Sequence, residues 1–417
     1  MLPDVVIIGA GILGVSTAFY LSALGKTAIL VIDRKCLSAG ATGRSGALVR
    51  SNYDNRDDAR LALMSLGVFR AWRDQVGGES HFRPVGLLDL ADGASRDAHL
   101  ALIERQRQWG VDIQIIDSVE AKGLARRLRL DHTSDSIAYE AGAGCCDANM
   151  ANRSMHDAAR ARGVEFIFDE PVMSIIAESG RITAIKTARR TVATRAVVLA
   201  AGVWTNQLLL PLGIDFGLTP RLSRIAVFRP PELDEDERLP TILDGIQNAW
   251  FRPLPSGCIL VGAERGCRSV DPDRIPNTAP HRLIESYRGI LAHRLAVSPH
   301  AAPRGAWAGA YMMSPDCRPI VGESRQIANL FFACGDSGTS FKIAPAIGLG
   351  LAEQILFGEA RSVELASLSP DRFGGPQAQP SGRSVAAEGS ARNVVGPAAR
   401  HSSLEPSTIA GNFGGAT

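Results

Sequence analysis

The sequence predicts an α/β domain with a parallel, Rossmann-like sheet, interleaved with a second domain built on an antiparallel sheet. Three observations predict it. The chain opens with strand, glycine turn, helix, strand; it holds several β-rich pieces with no helix after them; and the two kinds of segment alternate along the chain. With 417 residues, 45% of them apolar, it can bury a large core, and its length fits two domains.

"DVVII" (4–8) is a short apolar strand, "GAG" (9–11) a tight turn, and "ILGVSTAFYLSALG" (12–25) a helix with Leu13, Ala18, Leu21 and Leu24 on one face. "TAILVID" (27–33) returns as a second strand and completes a βαβ unit. The stretch 171–202 alternates like a β-meander turning at "ESGR" and ends in a buried strand and a glycine. "HFRPVGLLDLA" (81–91), "RLSRIAVFRPP" (221–231), "NAWFRPLPSGCILVGAE" (248–264) and "RGAWAGAYMMSPD" (304–316) are β-rich without crossover helices. These pieces place a nucleotide-binding domain at 1–75, 145–205 and 315–373, and the antiparallel domain at 76–144 and 206–314. Residues 374–417 are dominated by Gly, Ala, Ser and Pro, which predicts a disordered tail.

A formal charge of +2 offers no electrostatic reason for nucleic acid or an anionic membrane as a partner. The seven cysteines are scattered and form no CxxC pair, which favours a reducing compartment over a disulfide framework or a zinc site. The apolar start lacks a basic leader and carries ordered glycines, so it reads as mature structure with no membrane span. The expected location is the cytoplasm.

Gly9, Gly11 and Gly14 form G-x-G-x-x-G after a strand and at the opening of a helix. The first allows the tight turn, the second lets a pyrophosphate approach the backbone, and the third allows close helix–strand packing. Asp33 ends the second strand, where a carboxylate accepts hydrogen bonds from ribose hydroxyls. The motif alone does not separate NAD from FAD. A second glycine cluster, "SAGATGRSGALVR" (38–50), follows at once and favours flavin. Thr42, Gly43, Arg44 and Ser45 can wrap the pyrophosphate and ribityl chain, and Gly46 leaves room for the isoalloxazine edge.

Lys342 in "FFACGDSGTSFKIAPAIGLGLAEQI" (331–355) is harder to place. Pro345 and the spacing of Ile347, Leu351 and Ile355 predict a helix beginning just after it. A cation at a helix N-terminus is disfavoured by about 0.3–1 kcal/mol unless an anion is near. Lys342 therefore either reaches into water or holds an anion.

With these pieces in hand, the sequence resembles the FAD-dependent amine oxidoreductases of the D-amino-acid oxidase superfamily, in the sarcosine oxidase and glycine oxidase branch. The matching stretches are "VVIIGAGILGVSTAFYLSALG", "GATGRSGALVR", "VVLAAGVWT", "AYMMSPDCRPIVGE" and "FFACGDSGTSFKIAPAIGLGLAEQI", in the family's order. The resemblance implies an FAD domain beside an antiparallel substrate domain. It further implies hydride transfer from a C–H bond next to an amine nitrogen, giving an imine that water hydrolyses. Val172, Gly202, Gly335, Gly338 and Lys342 join the implied flavin contacts.

In sarcosine oxidase-like proteins the lysine of "GFK" and the last arginine of "RxxxxxR" hold the substrate carboxylate. Lys342 and Arg50 occupy those places, and an anion between them answers the helix objection. Tyr311 matches the aromatic residue packed on the substrate amine, though it reads equally well as a core tyrosine. Trp250 and Phe251 lie in the segment that lines the other side of the pocket, or belong to the core. Three positions depart from the branch. Asp336 stands where many relatives have an aromatic residue. Gly309 stands where sarcosine oxidase tethers FAD through cysteine, so FAD is expected to be non-covalent. Leu260 stands where a lysine is credited with oxygen activation, so a dehydrogenase with an unknown acceptor is expected, with Arg252 or Arg265 as the cation if it is instead an oxidase.

The expected substrate is a small carboxylate-bearing amine: an N-methyl, D- or imino amino acid. A 2-hydroxy-acid dehydrogenase, which needs a base such as histidine, and a non-catalytic subunit with a structural FAD are the competing classes. A second subunit is a possible partner.

Overall fold

The computed structural model describes residues 3–26, 28–132, 135–234, 239–263 and 268–373, so the expected tail, like Arg265, lies outside the described residues. One sheet runs Ile320–Glu323, Leu330–Cys334, Ala196–Leu199, Val5–Ile8, Ile29–Ile32, Glu165–Ile167. All its neighbours are parallel except the edge pair Ile320–Glu323 and Leu330–Cys334. Val5–Ile8, Ile29–Ile32 and Ala196–Leu199 are buried at every position, as strands covered on both faces must be.

Helix Ile12–Ala23 is buried almost all round because it packs against both Ala148–Ala161 and Ala344–Phe357. The last of these crosses it very closely. A Cβ on Gly348 would stand 2.3 Å from Ser16 Oγ, and that hydroxyl donates to the carbonyl of Ala344 at 2.9 Å. Ser340–Phe357 has the length and apolarity of a membrane span, yet two-thirds of it is buried inside the protein (67%), as in a core helix.

The second sheet runs Ala302–Met313, Thr219–Arg229, Ile259–Ala263, Ala249–Pro253, Thr241–Asp244, Leu87–Ala91, Ser136–Glu140, Ile113–Ile116. It is antiparallel except where Thr241–Asp244 pairs parallel with Leu87–Ala91. Those two strands flank two strands of the other sheet in sequence, Glu165–Ile167 and Ala196–Leu199, so the intervening chain is long enough for the crossover that parallel pairing requires. Alternation divides the sheet's faces. Phe228, Phe251 and Val261 pack with Tyr287 and Leu291 of helix His281–Arg294, while Ser223, Ile225 and Trp250 face the nucleotide-binding sheet's loops. The meander forms as expected from Val172–Glu178 and Arg181–Thr187, turning at Ser179 and Gly180, both at positive φ (50° and 74°).

Candidate active site

A cleft of about 710 Å³ runs between the two sheets. At one end Gly9 adopts φ +112°, and a Cβ there would meet the Ala200 carbonyl oxygen at 2.3 Å. Gly11 borders the cleft, and a Cβ there would sit 3.3 Å from Thr42 Oγ1. That hydroxyl accepts from the Ile12 N–H at 3.0 Å, ordering the glycine cluster over the helix N-terminus. Asp33 accepts from the Ala10 N–H through Oδ2 and from the Lys35 N–H through Oδ1, each at 2.8 Å. Its carboxylate has further lone pairs and borders the cleft, suited to ribose hydroxyls.

Arg44, Ser45, Gly46, Val172, Gly202, Gly335 and Gly338 also border the cleft. Two expected cofactor contacts do not. A Cβ on Gly14 would stand 2.1 Å from the Gly9 carbonyl oxygen, and one on Gly43 would stand 2.4 Å from the Ser38 carbonyl oxygen, so both glycines serve backbone packing. The donor set fits a dinucleotide: bare backbone at Gly9 and Gly11, a helix N-terminus, and a carboxylate at the end of the second strand.

At the other end the structure brings Arg50 and Lys342 together. Both are buried, at 6% and 7% exposure, and both lie over the ring of Tyr53, with Arg50 Cζ 5.0 Å and Lys342 Nζ 5.3 Å from its centre. Arg50 Nη1 donates to the Asn52 carbonyl and, at 2.7 Å, to its Oδ1. Lys342 sits in the 3₁₀ turn Ser340–Ile343 that leads into the helix, and its Nζ donates to the Thr339 carbonyl at 3.2 Å. Burial, then the charge of Arg50, pushes the lysine well below its ordinary pKa, while Asp58 and Asp336 pull it up. A guanidinium beside a lysine whose charge is disfavoured on one buried ring favours a bound anion, which would stabilise the lysine's charge.

Two carboxylates brace this end. Burial pushes Glu140 up to about 7; it accepts from the N–H of Ser51 at 2.8 Å and of Asn52 at 3.3 Å, holding the backbone just after Arg50. Burial pushes Asp336 up to about 6, and it accepts from the Met312 N–H at 3.1 Å. Sequence reasoning missed Tyr53, Asn52 and Glu140. No periodicity marks them, since their roles come from what folds against Arg50.

Tyr311 borders the cleft with its ring 3.5 Å from the position a Cβ on Gly338 would take. Trp250 borders it too, its indole filling the space over Gly46 and Gly262, whereas Phe251 belongs to the core behind the sheet. Arg252 donates to the carbonyls of Gly46 at 2.9 Å and Cys146 at 2.5 Å. Leu260 pairs with Arg252 and Val227 and is buried. Gly309 borders the cleft, packed on the Arg44 side chain, while Cys317 borders a neighbouring cavity instead.

The chain is similar to human peroxisomal sarcosine oxidase, 27% identical over 369 residues that cover 84% of this chain and 91% of that protein. It is 24% identical to sarcosine oxidase subunit beta of Arthrobacter sp over 382 residues, covering 89% of this chain and 91% of that one. Its fold superposes on L-proline dehydrogenase from P. horikoshii with a TM-score of 0.82, at 23% identity, over 89% of this chain and 98% of that one. A family model described as FAD dependent oxidoreductase (DAO) matches residues 4–354, and with the glycine turn, Asp33 and the cleft in place the chain belongs to that family of FAD-dependent enzymes.

Proposed function

We propose that the protein oxidises the C–N bond of a small carboxylate-bearing amine, an N-methyl, D- or imino amino acid, as a dehydrogenase with dissociable FAD. The observation that carries this reading is the convergence of Arg50 and Lys342, buried on one tyrosine at the far end of the dinucleotide cleft. Bound FAD supplies the hydride acceptor. Arg50 and Lys342 hold the substrate carboxylate by charge-assisted hydrogen bonds, which fixes the neighbouring C–H bond in the cleft. Tyr311 and Trp250 wall the amine side and exclude water. Among the described residues no histidine borders the cleft to take a proton from an alcohol, which favours an amine over a 2-hydroxy acid. Likeness to a sarcosine oxidase beta subunit supports a second subunit as partner.

Acid precipitation should release the yellow colour into the supernatant, because Gly309 offers no thiol and burial pushes the cleft's Cys334 thiol up to about 12. Colour kept in the pellet would refute non-covalent binding.

The choice of acceptor rests on charge. A cation near the flavin stabilises the negative charge that forms as O2 takes up an electron. Leu260 supplies none, Arg44 and Arg252 are each tied to two backbone carbonyls, and Arg50 and Lys342 are assigned to the substrate carboxylate. Enzyme reduced anaerobically by substrate should therefore reoxidise slowly in air and quickly with a dye or quinone, and Leu260→Lys should raise the oxygen rate. Rapid stoichiometric hydrogen peroxide from the unmodified protein would overturn the dehydrogenase reading.

A further inference from the structure

Arg50 is held from both sides by the chain segment 136–145. Ahead of it, Leu48 and Val49 pair with Cys145 and Gly144. Behind it, Glu140 accepts from the Ser51 N–H through Oε1 at 2.8 Å and from the Asn52 N–H through Oε2 at 3.3 Å. Glu140 closes the strand Ser136–Glu140, which is paired along both edges, and it stands opposite Leu87 on one neighbour and Ile113 on the other. A side chain on such a strand is a rigid reference point, and this one is 1% exposed. Only a carboxylate accepts at both of its oxygens; glutamine would set its NH2 against one of the two N–H groups.

Asn52 carries the constraint forward to the guanidinium. Its own N–H is fixed by Glu140, and its Nδ2 donates to Asp89 at 3.2 Å, which leaves Oδ1 as the end turned to Arg50. Both the Asn52 carbonyl and Oδ1 accept from Arg50 Nη1, the latter at 2.7 Å. A guanidinium is planar and presents its donors as a rigid fork, so anchoring one nitrogen fixes how the fork meets a carboxylate. An ammonium is a point charge on a flexible stem and has no plane to set.

We propose that Glu140 and Asn52 are positioning residues of the carboxylate clamp: Glu140 fixes the backbone after Arg50, and Asn52 sets the plane of its guanidinium. The proposal rests on the clamp reading. It is tested on the FAD-loaded enzyme by titrating propionate, which carries only the carboxylate, and following the flavin spectrum. Glu140→Gln and Asn52→Ala should each raise the half-saturating propionate concentration about tenfold while FAD stays bound. Combined with Arg50→Lys, each should change it by less than about twofold, because the plane they set is gone. A merely structural role would weaken binding equally with and without Arg50→Lys.

The clamp and the positioning role fail in different ways. If propionate binding weakens in Lys342→Met but either Glu140→Gln or Asn52→Ala leaves it unchanged, the positioning role alone is overturned. Losses of equal size with and without Arg50→Lys overturn it too. Should Glu140→Gln not fold, Asn52→Ala, which leaves the backbone contacts of Glu140 in place, decides the proposal by the same comparison. If propionate is indifferent to Lys342→Met, or leaves the flavin spectrum of the unmodified enzyme unchanged, the clamp falls and the positioning role with it.

Discussion

Replacing Lys342 by methionine lowers kcat/KM for the carboxylate-bearing substrate by about 10–150-fold while FAD stays bound, because one charge-assisted hydrogen bond of about 1.5–3 kcal/mol is removed. Methionine keeps most of the apolar stem, so packing over Tyr53 changes little. The same residue sets a pH dependence. Burial and Arg50 hold the lysine's pKa well down in the free protein, so it is neutral at pH values above that lowered pKa. A bound carboxylate favours the ammonium and raises the lysine's pKa in the complex, so between the free and the bound pKa binding takes up a proton and affinity falls about tenfold per pH unit. Below it the lysine is already charged and affinity is flat. Propionate affinity, read from the flavin spectrum across pH, should show this fall in the unmodified protein and lose it in Lys342→Met. Equal losses for the substrate and for an analogue lacking the carboxylate would remove Lys342 from the clamp.

Gly9→Ala should yield protein with little FAD and a lowered Tm. At φ +112° any side chain is strained by about 1–3 kcal/mol. The added Cβ also lies 2.3 Å from the Ala200 carbonyl oxygen, which is backbone and cannot swing aside. Relief requires the turn to move off the buried strand Ala196–Leu199, and that displaces the helix N-terminus from the phosphate position. Gly67→Ala is the control. It lies exposed within helix Arg56–Arg70 with nothing within 4 Å of the new Cβ, so it should keep its FAD and gain up to about 1 kcal/mol. The flavin-to-protein absorbance ratio and the melting temperature report both variants. Full FAD and an unchanged Tm in Gly9→Ala would show that the turn tolerates a side chain.

The sequence by itself determined the parts of this protein that rest on local spacing. The glycine turn between a buried strand and a helix, the acid at the end of the second strand and the hairpin at Ser179–Gly180 are set by backbone sterics and by periods of two and 3.6, which neighbouring residues carry themselves. Arg50 and Lys342 were legible as partners on one anion only through the family resemblance, and the Tyr53 ring they share was not legible at all. Their approach depends on the loop after Leu48–Val49 and the turn Ser340–Ile343 packing around Tyr53, and no local pattern encodes a contact between segments so far apart.

Other features were decided only by the tertiary structure. Trp250 and Phe251 are adjacent aromatics that strand alternation sends to opposite faces, and which face meets the cleft depends on where helix His281–Arg294 docks. Gly14 packs helix against strand as its place in the motif implies, whereas Gly43 looks like a cofactor contact but packs against the Ser38 carbonyl oxygen, because a glycine in sequence does not say what approaches it. The pKa values of Lys342, Glu140 and Asp336 depart from their ordinary values through burial first of all. Burial is a property of the assembled chain: desolvation arises only when distant segments together exclude water from a charge.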